Sequence, residues 1–174
     1  MSRISMVDIA SATDDVKQAA DDHQQNHGRI TNMKRTLLHA VPAFQAYMEW
    51  YTLRDEIEPF IGKRGVYVFS HAISTQNDCL ICSTFFRRLL IEDGEDPDRL
   101  ELSEKERVLV DFGRQLAKDA NQVSDELFSR LQAFFDERQI VLLTAFAGLM
   151  IATNLFNNAL RIPLDDYLEN YRAK

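Results

Sequence analysis

An all-helical fold is what this sequence predicts, on three observations. Only 6 Gly and 4 Pro are spread over 174 residues, too few punctuating residues for many short strands and tight turns. From residue 30 onward apolar side chains recur at three- and four-residue steps, the repeat of an amphipathic helix. Helix-start chemistry also recurs: Ser103 with Glu106, and Asp136 with Gln139, stand three apart ahead of apolar runs. At this length a single domain with one sizeable core is expected.

The elements follow in chain order. Residues 1–29 are polar, rich in Asp, Gln and Ala, and are expected as a flexible or helical N-terminal arm, held loosely as a solvated tail. Ile4, Met6, Val7 and Ile9 leave open the alternative of docking onto a neighbouring subunit. Residues 30–174 form the helical domain. Leu37, Leu38, Val41, Phe44, Tyr47, Met48 and Tyr51 mark one helical face. Pro42 divides that run into two helices, because its ring clashes with the preceding turn. A second break falls between Pro59 and Gly65. Val66 to Ile73 is apolar and buried; no partner strand stands nearby, so helix is expected there.

Asn77 and Asp78 supply N-cap chemistry just before Cys79, which places Cys79 in the opening turn of a helix running through Ile91. Glu92 to Leu100, with five acidic residues, Gly94 and Pro97, is a loop. The Ser103–Glu106 box opens a helix carrying Val108, Leu109, Phe112 and Leu116. Ser124 caps the next, with Leu127, Phe128, Leu131, Phe134 and Phe135; its aromatic stripe is expected in the core. The last long helix starts at the Asp136–Gln139 box, and no charged side chain lies between Arg138 and Arg161. Thr144, Thr153, Asn154, Asn157 and Asn158 interrupt its apolar character. It therefore reads as a central core helix, or one buried at a subunit interface, and not as a membrane span. Its asparagines are expected to hydrogen-bond across an interface, because buried amides need partners.

Charge and cysteine content narrow the function. With 20 Lys plus Arg against 27 Asp plus Glu, the formal net charge is −7, and no basic face stands out, which argues against a general nucleic-acid binder. The N-terminus lacks the basic start and apolar stretch of a secretory signal, so a cytoplasmic location is expected. Two cysteines exclude a disulfide-dense secreted scaffold.

Those two cysteines are the sharpest feature: Cys79-Leu80-Ile81-Cys82. Residues three apart share one helix face, so the sulfurs come within reach of a bridge. Unpaired N–H groups at the helix start favour a thiolate, while the neighbouring Asp78 carboxylate opposes one. Such a dithiol cycles with its disulfide. Two buried structural cysteines remain an open alternative. So does zinc, although a structural site wants four ligands and His71 is the one other ligand type close by. A thioredoxin-type site lacks its βαβ setting. No Gly-rich phosphate loop and no metal-spaced cluster occur, so neither cofactor nor metal is expected. His23, His27 and His39 read as solvated or cap residues. Arg87 and Arg88 read as exposed or ion-paired, with an acidic substrate as the alternative.

The run Asn77-Asp78-Cys79-Leu80-Ile81-Cys82 follows an apolar helix; Asn32 to His39 forms an approach segment and Asn154 to Asp165 a closing one. Together, in that order and spacing, they resemble the carboxymuconolactone decarboxylase and alkylhydroperoxidase D-like family over residues 30–168. The resemblance implies a helical fold assembled into homo-oligomers, often trimers or hexamers. It implies that Cys82 attacks peroxide and that Cys79 resolves the sulfenic acid as a disulfide. The partners would be a small hydroperoxide or other small molecule, and a protein or small-thiol reductant. Three positions depart from the family's proton relay: Phe86 replaces a histidine, Tyr67 replaces a glutamate, and Ile81 stands where a relay histidine or tyrosine can sit. A substitute relay is conceivable from spacing, with His71 as base and Tyr67 as its orienting partner, four apart on the approach helix. Two further functions stay open: an oligomeric module that binds a small apolar or aromatic ligand, and a lactone decarboxylase-type enzyme that has no need of the pair.

Overall fold

The computed structural model describes residues 2–173. Helices run in the order α1 (Asp14–His27), α2 (Asn32–Leu37), α3 (Val41–Gln76), α4 (Leu80–Glu92), α5 (Glu104–Asp119), α6 (Asp125–Gln132) and α7 (Glu137–Leu160), with no strand among the described residues. Short 3-10 turns occupy Ile9–Ser11, Ala120–Gln122 and Asp166–Tyr171. The fold is all-α, as expected.

Helix α3 is the spine, packed against α4, α5 and α7. It begins where Pro42 requires a new helix: the proline sits in the first turn, where its missing N–H has no helical partner to lose. The expected second break is a kink at Gly62, whose φ of 75° and ψ of 161° suit a residue without Cβ. Beyond it, Val66, Phe69 and Ile73 turn inward and meet Val108, Leu109 and Phe112 of α5 and Leu143, Phe146 and Ala147 of α7. The apolar stretch 66–73 is thus a buried helix. Gly113 of α5 lies so close to α3 that an added Cβ would stand 2.8 Å from Phe69 Cε2.

The helix starts follow the cap chemistry. Ser103, Ser124 and Asp136 each accept a hydrogen bond from the amide three residues on, and both expected boxes close reciprocally. In α6 the expectation of a core aromatic stripe is corrected: Phe135, just past the helix, is buried, but Phe128 and Phe134 are exposed. Helix α7 is long and apolar enough to cross a membrane by length and composition. In the fold it buries Ile140, Leu143, Phe146 and Met150 against α3 and α5 and encloses Asn154 and Asn157. Its outer face stays apolar, with Val141 67% and Leu155 65% exposed.

The N-terminal segment is not the solvated tail expected of it. Val7, Ile9, Val16 and Ala20 pack with Leu37, Leu38 and Phe44. Arg35 Nε donates to the Val7 carbonyl at 3.0 Å, and the Arg3 amide donates to the Leu160 carbonyl at 2.9 Å. Helix α1 is amphipathic in a modest way, burying only Ala20 and His23. That suffices because the rest of the segment is tied by backbone hydrogen bonds. The consequence is functional: it carries His27 and Arg29 to the rim of the cavity described next.

Candidate functional site

The cysteine pair sits where α3 hands over to α4. Helix α3 unwinds at its C-terminus, with the amides of Asn77, Asp78 and Cys79 donating back to the carbonyls of Ile73, Thr75 and Ser74. Asp78 takes a left-handed conformation, φ 51°, which acidic and amide side chains tolerate better than most. Neither Asn77 nor Asp78 caps α4. The cap is Cys79 itself: its Sγ accepts the Cys82 amide N–H at 3.4 Å. Cys79 therefore precedes the first turn that was expected to contain it, with its sulfur aimed at the orphan amides.

Asn157 of α7 completes the site. Its Nδ2 donates to Cys82 Sγ at 3.2 Å and to Cys79 Sγ at 3.8 Å. One residue on, Asn158 donates to the Asn77 carbonyl at 2.8 Å and pins the loop that leads into the pair. The asparagines of the last helix do bond across an interface, but it is one between helices of the same chain. Both thiols are free and buried.

The two sulfurs differ in acidity and in access. Cys79 is held below the ordinary thiol range, first by the Cys82 S–H and then, against the cost of burial, by the backbone amides and Asn157. Cys82 is held well above it, because its S–H donates a hydrogen bond to Cys79 and burial disfavours a second charge. The two thiols therefore lose their protons in order, Cys79 before Cys82. Access runs the other way. Cys82 lines a cavity of about 320 Å³ and Cys79 does not. The acid sulfur lies behind and the reachable one in front.

The cavity opens between the N-terminal segment, α3, α4, α7 and the C-terminal turn. Its walls are aromatic, including Tyr47, Trp50, Tyr51, Phe85, Phe86 and Tyr167, and three methionines, Met33, Met48 and Met150, fill the gaps. Phe86, at a position where the resembling family keeps a histidine, is one of these walls. The polar groups are Arg29, Thr31, Lys34, Arg88, Thr153, Asn157 and Asp165, with His27 beside them. Among the described residues no group of three His, Cys, Asp or Glu is placed to hold a metal ion.

The structure does not bring His71 and Tyr67 to the thiols. Neither lines the cavity. His71 is pushed down to about 4 by burial and by the charges of Arg87 and Arg114, on the flank where Arg87 forms a two-pronged bond with Asp98 at 2.7 and 2.5 Å. Tyr67 packs among core side chains under the Lys63 ammonium. Spacing places the two on one face of α3. Which face meets the thiols is decided by Phe69 and Ile73 turning to the core, and that turns His71 away. The residues that sequence reasoning left unassigned are Asn157 as the donor to both sulfurs and Lys34, Tyr51 and Tyr167 as cavity walls. All are distant in sequence from the pair.

Neither a protein-family model nor a curated protein sequence matches the chain. Solved structures do. The alkylhydroperoxidase AhpD core of an uncharacterized peroxidase-related protein from Ralstonia eutropha JMP134 superposes with a TM-score of 0.74, covering 96% of this chain and 94% of that one at 20% identity. An uncharacterized peroxidase-related protein from Silicibacter sp. TM1040 gives 0.74, with 96% and 93% covered at 17% identity. The debrominase Bmp8, as a cysteine-to-alanine variant in complex with 2,3,4-tribromopyrrole, gives 0.80, with 97% and 94% covered at 13% identity. The fold of this chain is alkylhydroperoxidase D-like.

Proposed function

We propose that this chain, on its alkylhydroperoxidase D-like fold, is a dithiol reductase that delivers two electrons from Cys79 and Cys82 to a small molecule in the cavity, a hydroperoxide being the leading substrate class. The observation that carries the reading is the arrangement of the sulfurs: Cys82 faces the cavity while Cys79, behind it, is the more acidic of the two. The missing relay is made good within the pair. The Cys82 proton passes along the S–H···S contact to Cys79, which acts as the base, and the thiolate so formed on Cys82 meets the substrate. Its sulfur bonds the terminal peroxide oxygen as the O–O bond breaks, and the departing alkoxide takes up a proton. Cys79 then attacks the sulfenic sulfur, the S–S bond forms and water leaves. Hydroperoxide and two thiols give alcohol, water and a disulfide. A protein or small-thiol reductant restores the dithiol.

A second substrate class is favoured by the walls. Six aromatic side chains face the cavity, and a protein of the same fold is a debrominase captured with a bromopyrrole. An aryl bromide and two thiols give the arene, hydrogen bromide and the same disulfide, so the electrons balance for either substrate. The test is a thiol count after one equivalent of cumene hydroperoxide or of tribromopyrrole, with bromide release measured in parallel. Rapid loss of two thiols, recovered with dithiothreitol, supports the dithiol reading and tells the two classes apart. Two thiols that persist against both reagents leave only a ligand-binding module.

The working form is a homo-oligomer in the cytoplasm. The outer face of α7 presents Val141, Ala145, Gly148, Ala152 and Leu155 at alternating four- and three-residue steps, a seam that suits a second copy of the same helix.

A further inference from the structure

We infer that the cavity is built for a planar aromatic anion, a phenolate or aromatic carboxylate, whose charged oxygen is held by the Lys34 ammonium. The inference rests on the proposed function only in taking the Cys82 cavity as the substrate site, and it names what that site admits.

Lys34 is an uncommon lysine. It is only 8% exposed, in α2, and lysines are almost never buried without a charged partner. Its Nζ donates to the Arg29 carbonyl at 3.0 Å and to the Tyr51 hydroxyl at 3.1 Å, leaving one of three N–H donors unassigned. No carboxylate of the described residues stands within ion-pair distance of it. Asp165, the carboxylate that lines the same cavity, feels its charge; its Oδ1 accepts from the Asn32 amide at 2.9 Å, and its Oδ2 is buried without a partner. Burial lowers Lys34 to about 8, which leaves it mostly charged at neutral pH. A buried ammonium with a spare donor in a largely apolar cavity is a costly feature that a bound anion would repay.

The surroundings set the rest of the ligand. Arg29 and Arg88 add positive charge to the rim, both stacked over Tyr167, with Arg29 Cζ 4.2 Å from the ring centroid. Arg88 is paired with Glu92 at 3.2 Å, so Lys34 and Arg29 stand against Asp165 in the lining, and the balance favours an anion. Trp50, Tyr51 and Phe85 supply flat walls, and the volume of about 320 Å³ admits one substituted ring.

The probe is 4-nitrophenol, whose phenolate is yellow, against 4-nitroanisole, the same ring without an ionisable oxygen. Binding is measured near pH 6, where the free phenol is largely protonated. The expected result is a bound probe in its yellow form and an affinity at least about tenfold above that of 4-nitroanisole. Lys34→Met should abolish both the colour change and the preference, while Lys34→Arg should retain them in part. The comparison of the two probes needs no variant, so a folding defect in Lys34→Met leaves the test intact. Equal affinities, a bound probe that stays colourless, or ionisation that persists in a folded Lys34→Met would overturn the inference. A protein that binds the phenolate yet keeps its thiols against oxidants would retain this site and lose the redox reading.

Discussion

Asn157 offers the sharpest perturbation of the pair. Its amide nitrogen lies 3.2 Å from Cys82 Sγ and 3.8 Å from Cys79 Sγ, and it favours the ionised form of each. A hydrogen bond to a charged group is worth about 1.5–3 kcal/mol, and one pKa unit corresponds to roughly 1.4 kcal/mol. The longer contact is to the sulfur that carries the charge, so the lower end applies. Asn157→Leu should raise the first thiol pKa by about one unit. Stability should move the other way. The Asn157 Oδ1 is buried without a partner, and leucine, which shares the branched skeleton, removes an unsatisfied acceptor that costs roughly 1–3 kcal/mol. The variant is expected to be as stable as the wild type or more so, and less reactive at neutral pH. Following the ultraviolet absorbance of the thiolate against pH, alongside urea unfolding, reads both quantities. An unchanged thiol pKa would refute the role given to Asn157.

Three further outcomes are expected. His23 is held down to about 4 from 6.5 by burial, with Lys34 and His27 adding repulsion, so between those values the unfolded chain binds a proton that the native one does not. Its contribution is complete above about pH 6.5 and is lost as the pH falls through 4, for a total of roughly 3 kcal/mol; urea midpoints should fall less steeply with acid in His23→Phe, and parallel curves would count against it. Gly113→Ala forces a methyl against Phe69 and Ile73, both fully buried, and should cost about 1–3 kcal/mol on thermal unfolding; a neutral effect would mean that α3 and α5 part more easily than their packing implies. Val141→Lys with Leu155→Lys should leave the helical signal intact and reduce the mass found by light scattering to that of one chain. If the wild type is already monomeric, α7 is no seam.

Much of the fold was legible because it rests on local signals. Pro42 separates α2 from α3, and the Pro59–Gly65 break appears as the kink at Gly62, since both depend on backbone chemistry at the residue itself. The Ser103 and Asp136 boxes are likewise local, closed within four residues. The start of α4 misled for a physical reason. Asn77 and Asp78 are better cap residues than cysteine, but α3 runs on to Gln76 and spends both in its own termination, so the cap passes to Cys79. The docking of the N-terminal segment was hidden because few apolar side chains carry it and backbone bonds to Arg35 and Leu160 do much of the holding.

The candidate site was legible only at its centre. The Cys-X-X-Cys spacing announces a pair, and the pair is there. Asn157 stands 75 positions beyond Cys82 in the chain, and nothing periodic in α7 distinguishes it from Asn154 or Asn158. His71 and Tyr67 show the converse: helical spacing correctly puts them on one face, but that face lies toward Arg87 and Lys63.

The division of labour between the sulfurs is the central claim, and trapping with dimedone after one equivalent of hydroperoxide tests it most directly. In Cys79→Ser, Cys82 should accumulate as the dimedone adduct of its sulfenic acid, seen by mass spectrometry, more slowly than the wild type forms its disulfide because the base is gone. In Cys82→Ser, Cys79 should remain a free thiol. An adduct on Cys79, with Cys82 unmodified in the partner variant, would contradict the account and reverse the two roles.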